Sequence, residues 1–229
     1  VRVLPWELVG RVTTPEGTDM ILMRHGRDFV IQADGKDLMT SRLHGSEEAL
    51  ASLGCARAAA REAPRVLVGG LGMGFTLRAA LDLLPADAEV VVAELLQAVV
   101  DWNRGPLAGL AGRPLDDRRV RVQVGDVADC LRQGPGRFDA VLLDVDNGPR
   151  ACAQASNARL YDNPGVALAR AALRPGGVLA VWSARDDRKF LQRLGHCGLV
   201  AEARHVRARL KKGGAHHTIF LGVLPEPEP

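Results

Sequence analysis

Cysteine and aromatic side chains are both scarce in this chain, and each shortage narrows what it can be. Its four cysteines among 229 residues (Cys55, Cys130, Cys152 and Cys197) include no Cys-x-x-Cys pair. That argues against a disulfide frame or a cysteine zinc site and suits thiols kept in a reducing compartment. The histidines stand in no metal-ligand spacing with nearby acids or cysteines, so no metal is expected. Aromatics make up 4% of the chain, which leaves a core of Leu, Val and Ala. A net charge of +3 is too small to argue for nucleic acid. The basic run Arg204, Arg207, Arg209, Lys211, Lys212, with His216 and His217, has no interleaved aromatics and reads as the solvated tip of a hairpin. No apolar run approaches the roughly 18 to 20 residues of a membrane helix, so no membrane partner is expected. The opening Val1–Trp6 lacks a signal-peptide layout, and the expected location is cytoplasmic.

What is present is the alternation of an α/β protein. Hydrophobic residues make up 47% of the chain, enough for one large domain or one domain with a small appendage. Short strand-like runs at Thr18–Met23, Asp28–Ala33 and Lys36–Thr40, the last two joined by Asp34-Gly35, make residues 1–44 a small antiparallel β unit. Ser46 then reads as the cap of a helix reaching about Glu62, with Glu47 and Glu48 in its first turn and Pro64 beyond it. From Arg65 onward strands and helices alternate. The strands are Val66–Val68, Glu89–Glu94, Val120–Val124, Phe138–Val145 and Val178–Trp182. The helices are Phe75–Leu84, Leu96–Asn103, Val127–Gln133, Pro164–Leu173 and Asp187–Gly195. Continuous apolar strands between amphipathic helices predict a parallel sheet buried on both faces. A final antiparallel hairpin, Val200–Arg207 with His217–Val223, closes a Rossmann-like domain over 45–224, and 225–229 reads as a disordered tail.

The chemistry is concentrated at the ends of those strands. Val66-Leu67-Val68 runs into Gly70, Gly72 and Gly74 and then a helix, the strand–turn–helix corner where an α/β fold accepts a nucleotide-like ligand. Glu94 ends the next strand about twenty residues on, where a carboxylate can accept both hydroxyls of a ribose. Asp126, after Gly125, can take a hydrogen bond from an adenine amine, cap the following helix, or do both. Asp144 and Asp146 lie where the fourth strand runs out beside the glycine turn. A carboxylate there can bind a substrate amine or take its proton, and Asp146 reads more simply as a loop cap. Tyr161, the one tyrosine of the chain, opens a helix across the same crevice and could line the substrate pocket or be an ordinary helix-start residue. His44 and the acids after it read first as a helix start with a polar neighbour.

This order of features resembles the spermidine synthase family, within the seven-stranded S-adenosylmethionine-dependent methyltransferase folds. The features are the β-hairpin unit, the helix with His and acids, the glycine loop, the strand-end Glu, the Gly-Asp, the Leu-Leu-Asp-x-Asp and the Leu-Arg-Pro-Gly-Gly, over about residues 18 to 183. The resemblance implies that Glu94 holds the ribose and Asp126 the adenine of an adenosylmethionine-type donor, and that Asp144 helps deprotonate the attacking amine. His44 and Glu47 would match the family's His-Glu pair. In the family the glycine loop reads Gly-Gly-Gly-Asp-Gly-Gly, its Asp binding an amine, whereas Met73 stands there in this chain. That loss removes a charge-assisted bond of about 1.5 to 3 kcal/mol. The family's tyrosine- and proline-rich loop after strand five is also absent.

These departures favour a transferase that uses S-adenosylmethionine, or its decarboxylated form, to move a methyl group to a small-molecule acceptor. The alternatives are an aminopropyltransferase of polyamine biosynthesis with an altered amine acceptor, a non-catalytic nucleoside-binding module, and an NAD(P)-dependent enzyme, which the Gly-Asp and strand-four acids oppose. A β unit with exposed edges, and the family's habit, leave a homodimer as the expected assembly.

Overall fold

The computed structural model describes residues 5–145, 149, 155–208 and 215–227. Two sheets organise them. The first is antiparallel and four-stranded, in the order β1 (Glu7–Thr13), β2 (Asp19–His25), β3 (Asp28–Ala33) and β4 (Lys36–Thr40). Its last three strands fall where the alternating pattern predicts them. β1 has no predicted counterpart, and a register shift between Leu8 and Gly10 interrupts its alternation against β2.

The second sheet has seven strands. They are β5 (Arg65–Gly69), β6 (Glu89–Glu94), β7 (Val120–Val124), β8 (Phe138–Leu143), β9 (Leu173–Ser183), β10 (Val200–Arg207) and β11 (His216–Val223), in the spatial order β10-β11-β9-β8-β5-β6-β7. The five strands from β5 to β9 are parallel, and β11 returns antiparallel between β9 and β10. β5 pairs with β6 on one side and β8 on the other, so strand order reverses at the glycine turn, the usual crevice for a ligand in an open α/β sheet. β8 is buried along its whole length, as a strand covered on both faces must be.

Helices α1 (Gly45–Cys55), α2 (Phe75–Leu83), α3 (Gln97–Arg104), α4 (Val127–Arg132), α5 (Asn163–Ala172) and α6 (Arg188–His196) cover the seven-stranded sheet. Two apolar clusters fill its faces, one gathered around Val66, Val90 and Leu142, the other around Leu67, Val141 and Phe220. α1 lies close on β8 and β9: a Cβ at Gly54 would stand 2.2 Å from Leu142 Cδ2 and 2.9 Å from the Ala180 Cβ. A side chain there would lift the helix, and Glu47 near its start, away from the sheet.

Three boundaries differ from the sequence expectation. α1 stops at Cys55 instead of near Glu62, because the chain tightens into a 3₁₀ turn at Ala58–Ala60 and Arg61 becomes extended. Arg61 then turns its guanidinium to the buried Asp139 (2.6 Å), which also holds Arg174 (2.8 Å) and the Arg65 N–H (2.8 Å). Arg174-Pro175-Gly176-Gly177, which the sequence places between the Pro164–Leu173 helix and the strand expected from Val178, is instead a bulge inside β9, where pairing to β8 breaks between Phe138 and Ala140. The chain after β11 is tied down through Glu226: Leu224 exchanges backbone bonds with Gly176 and Gly177 (2.9 Å each), and Glu226 reaches Arg61 at 3.4 Å. Among the described residues no helix is long and apolar enough to cross a membrane.

Candidate functional site

The carboxyl edge of the parallel strands is knitted into one line by backbone hydrogen bonds. Gly125 N–H donates to the Glu94 carbonyl (2.9 Å), Gly70 N–H to Ala93 (2.8 Å) and Asp144 N–H to Gly69 (2.8 Å). The ends of β7, β6, β5 and β8 are therefore fixed relative to one another. Above this line opens a cavity of about 670 Å³, roofed by the first sheet through residues such as Met20, Lys36 and Met39. Gly70 shows why its position is glycine. Its φ is +89°, and a Cβ would stand 2.3 Å from the Asp144 carbonyl oxygen, so any side chain would force β8 off the glycine turn.

Two halves of the wall differ in chemistry. At one end, Glu94 is buried, 8% exposed. One of its carboxylate oxygens accepts from Leu71 N–H and the other from Leu96 N–H, both at 2.9 Å. Burial pushes its carboxyl up, while the backbone donors at Leu96, Leu71 and Leu95 pull it down. Each oxygen keeps a lone pair beyond its one N–H bond, so the group can accept ribose hydroxyls without giving up its anchors. Asp126 lines the same end and caps α4 through the Ala128 N–H (2.8 Å) while pairing with Arg159. Capping and ligand contact are thus compatible there, and Arg159 is a wall residue that sequence reasoning did not name.

At the other end stand two acids. Glu47, near the start of α1, and Asp144, just past β8, both line the cavity. Thr76 joins them: its hydroxyl donates to Asp144 Oδ2 at 2.6 Å and lies 3.5 Å from the Glu47 carbonyl. Ser46 donates to Glu47 Oε2 at 2.6 Å. Among the described residues neither acid has an ion-pair partner, and both are pushed up. Burial and then the neighbouring Asp144 carboxylate raise Glu47 to about 7; burial raises Asp144 to about 6 against the Thr76 bond. Two enclosed carboxylates without a cation resist ionising together.

Of the remaining predicted residues, Met73, Gly74, His44 and Tyr161 are not in the cavity wall. Met73 is fully buried in the larger apolar cluster, so the position read as a substituted substrate contact faces the core. Gly74 takes the N-cap of α2 with φ +84°, set against Asn103 and Pro114; of the three loop glycines, Gly70 and Gly72 face the cavity. His44 stacks on Phe75 with ring centroids 4.1 Å apart and bonds Glu48 at 2.7 Å, so its acid partner is Glu48 and not Glu47. Tyr161 is buried, edge-on to Phe190, and its hydroxyl donates to the Val145 carbonyl at 2.8 Å. It braces the wall beneath Val145 and does not line it. Asp146 lies outside the described residues.

Ser46 and His217 also depart from expectation. α1 begins at Gly45 with His44 as its N-cap residue, so Ser46 sits inside the helix and spends its hydroxyl on Glu47. His216 and Arg204 are exposed as a solvated tip requires, but His217 turns inward to Ser46 at 2.9 Å. Arg209, Lys211 and Lys212 lie outside the described residues. Strand alternation, which sends neighbours to opposite faces, could have separated His216 from His217. Trp182, at the end of β9, lines the cavity too and had no sequence signal beyond its place there. No metal-ligating group of side chains occurs among the described residues.

Comparison with known proteins accords with this architecture. Two solved spermidine synthases superpose with TM-scores of 0.73 over 94% of this chain and 72% of theirs. One is in complex with the transition-state analogue AdoDATO (16% identity) and one is from Thermotoga maritima (17%). At that identity they establish the fold. Among curated sequences, the polyamine aminopropyltransferase of Mycobacterium tuberculosis is 35% identical over 119 residues, 51% of this chain and 22% of the relative. The spermine synthase of Arabidopsis thaliana is 35% identical over 118 residues, 50% and 30%. The spermidine synthase of Dictyostelium discoideum is 32% identical over 132 residues, 56% and 44%. The matched segment thus spans less than half the length of each of these three curated relatives. The spermine/spermidine synthase domain itself is matched from His44 to Leu194, which takes in the glycine turn and the wall acids Glu47, Glu94, Asp126 and Asp144, and the chain belongs to that family.

Proposed function

We propose that the chain is an aminopropyltransferase that moves the aminopropyl group of decarboxylated S-adenosylmethionine to an amine acceptor. The observation that carries this reading is the pair Glu47 and Asp144, two enclosed acids with no ion-pair partner among the described residues, at the end of the cavity away from Glu94 and Asp126. An ammonium group is the ligand such a pair lacks. Methyl transfer, the reading favoured by Met73, finds no support in the relatives. Its premise also weakens because Met73 faces the core and leaves the cavity wall unaltered. The charge that the glycine loop lacks at Met73 is supplied instead by Glu47 from α1.

In this account Glu94 holds the ribose and Asp126 the adenine edge of the donor, which lies across Gly70 and Gly72. Asp144 and Glu47 hold the acceptor as an ammonium ion. One N–H proton passes to the carboxylate pair, and the freed nitrogen lone pair attacks the methylene carbon bound to the sulfonium. The new C–N bond forms as the C–S bond breaks. The departing electron pair neutralises the sulfur, leaving a thioether nucleoside, and the product nitrogen keeps the positive charge. Most of the help comes from proximity and alignment, since the donor is already activated. Thr76 fixes Asp144 for that alignment.

Incubation with decarboxylated S-adenosylmethionine and a panel of diamines and polyamines, read by mass spectrometry, tests the reading. The expected product is an acceptor heavier by one aminopropyl unit with one equivalent of thioether nucleoside. Methylated acceptor formed from intact S-adenosylmethionine, and no aminopropyl product, would overturn it.

A further inference from the structure

A polar chain leaves the acid pair and runs away from the donor end toward the surface. Its first member, Ser46, is 1% exposed and donates to Glu47 Oε2 at 2.6 Å. Its second, His217 on β11, places Nδ1 2.9 Å from the same Ser46 oxygen. His217 is half-buried, with its ring edge-on to Trp182 at a centroid distance of 4.7 Å. Helix α1 and strand β11 are far apart in sequence, so this contact is tertiary and orients the imidazole specifically at the hydroxyl beside Glu47.

We propose that Ser46 and His217 form a proton exit from Glu47 to solvent, with His217 as a positioning and proton-accepting residue for the acid pair. The role in turnover rests on the aminopropyl-transfer reading. Transfer to an ammonium acceptor liberates one proton per cycle, and that proton must leave an enclosed carboxylate before the next acceptor binds. With Glu47 ionised, Ser46 donates to it. Once Glu47 is protonated, its hydroxyl donates to Ser46 and Ser46 donates to Nδ1 of neutral His217. Shifting both protons along these bonds restores the Glu47 carboxylate and makes His217 an imidazolium, which loses a proton to water from its half-exposed ring. No bond other than these O–H and N–H bonds changes.

The groups around His217 set how readily it takes and releases the proton. His217 faces Ser46 and Glu47 from α1 and Trp182 from β9. Among the described residues, the charged and titratable groups near it on the hairpin are His216 beside it and, on β10, His205 (Nδ1 3.4 Å from Thr218 Oγ1) and Arg207, opposite His216. At the start of α1, His44 and Glu48 are paired with each other. Burial, and then His216, lower His217 below the usual histidine range while Glu47 is raised to about 7, so the ring rests neutral at neutral pH, the step onto it is uphill, and its imidazolium gives the proton up readily to water.

Two readouts test the link. In the protein without ligand, the His217 ring is titrated by nuclear magnetic resonance in wild type, Glu47→Gln and Ser46→Ala. The expected result is a lower His217 midpoint in Glu47→Gln, from loss of the carboxylate, and a change in Ser46→Ala. A midpoint unmoved in both overturns the proposal. In turnover, His217→Gln should lower kcat about tenfold, less than the roughly 10²- to 10⁴-fold cost of losing a general base itself. KM for the donor should hold, and added imidazole should restore rate. Wild-type kcat and pH profile in His217→Gln overturn the exit. Should wild type transfer no aminopropyl group while the coupled titration is present, the functional reading fails and the link between Glu47 and His217 stands.

Discussion

The two ends of the cavity treat their acids in opposite ways. Glu94 is held on both oxygens by backbone N–H groups, and Asp126 caps α4 and is ion-paired. Among the described residues, the side-chain partners of Glu47 and Asp144 are the hydroxyls of Ser46 and Thr76, and enclosure pushes both acids up. The first end is complete as it stands and suits a neutral ribose and base. The second is electrostatically unfinished, and a cationic amine completes it. In the proposed reaction the first end binds the donor, while at the second acceptor binding is coupled to the release of a proton.

Substitutions at the two ends should therefore separate cleanly. The largest effect is expected for Asp144→Asn, which should lower kcat about 10²- to 10⁴-fold while donor affinity, measured by calorimetry, stays within a fewfold. Equal loss of both would erase the distinction between the ends. Next comes Glu94→Gln, which should weaken donor binding by about 10- to 100-fold, the value of a charge-assisted hydrogen bond or two, with acceptor KM little changed. Glu94→Ala is the poorer probe, because it strands the Leu71 and Leu96 N–H groups and costs about 1 to 3 kcal/mol of stability for each buried donor left unpaired.

Stability sharpens the same contrast with a smaller effect. Both acids of the acceptor end are raised above the ordinary carboxyl values of about 4, so between those values and about 6 to 7 the folded chain binds protons the unfolded chain has lost. The contribution of this pair to stability is then greatest on the acid side and is lost as pH rises through that window. Glu47→Gln removes the repulsion, and thermal melts at pH 8 should show it more stable than wild type by about 2 to 4 °C, as expected for about 1 kcal/mol in a chain of this size. A lower melting point would mean that Glu47 is held by a favourable partner. The smallest effect belongs to Arg159→Ala. Its pair with Asp126 is exposed on the arginine side, and such pairs contribute about 0 to 1 kcal/mol, so donor affinity should move by less than about fivefold.

Much of this was legible in the sequence. Apolar runs without alternation marked the parallel strands, and the bounds of β6, β7 and β10 coincide with the pattern. Gly70, Gly72, Glu94, Asp126 and Asp144 fall at strand ends, where position alone fixes their place in the crevice. What one-dimensional pattern could not show was rotation and tertiary contact. Whether Met73 faces the ligand or the core depends on the turn geometry around it. His44 sits one turn from Glu48, and i,i+4 neighbours meet on a helix, which is why it pairs there and leaves Glu47 to the cavity. Tyr161 reaches Val145 from beneath, and His217 finds Ser46 from a strand far along the chain. Neither contact leaves a mark in local spacing.

The central claim is that Glu47 and Asp144 hold and deprotonate the acceptor amine. It is tested most directly by the pH dependence of kcat/KM for the amine, with decarboxylated S-adenosylmethionine saturating, in wild type and Glu47→Gln. The account predicts a wild-type rate that climbs as pH rises through about 6 to 7, and in Glu47→Gln a lower rate with that limb displaced to lower pH, because Asp144 then ionises without a charged neighbour. A Glu47→Gln profile superimposable on wild type in height and midpoint would contradict it.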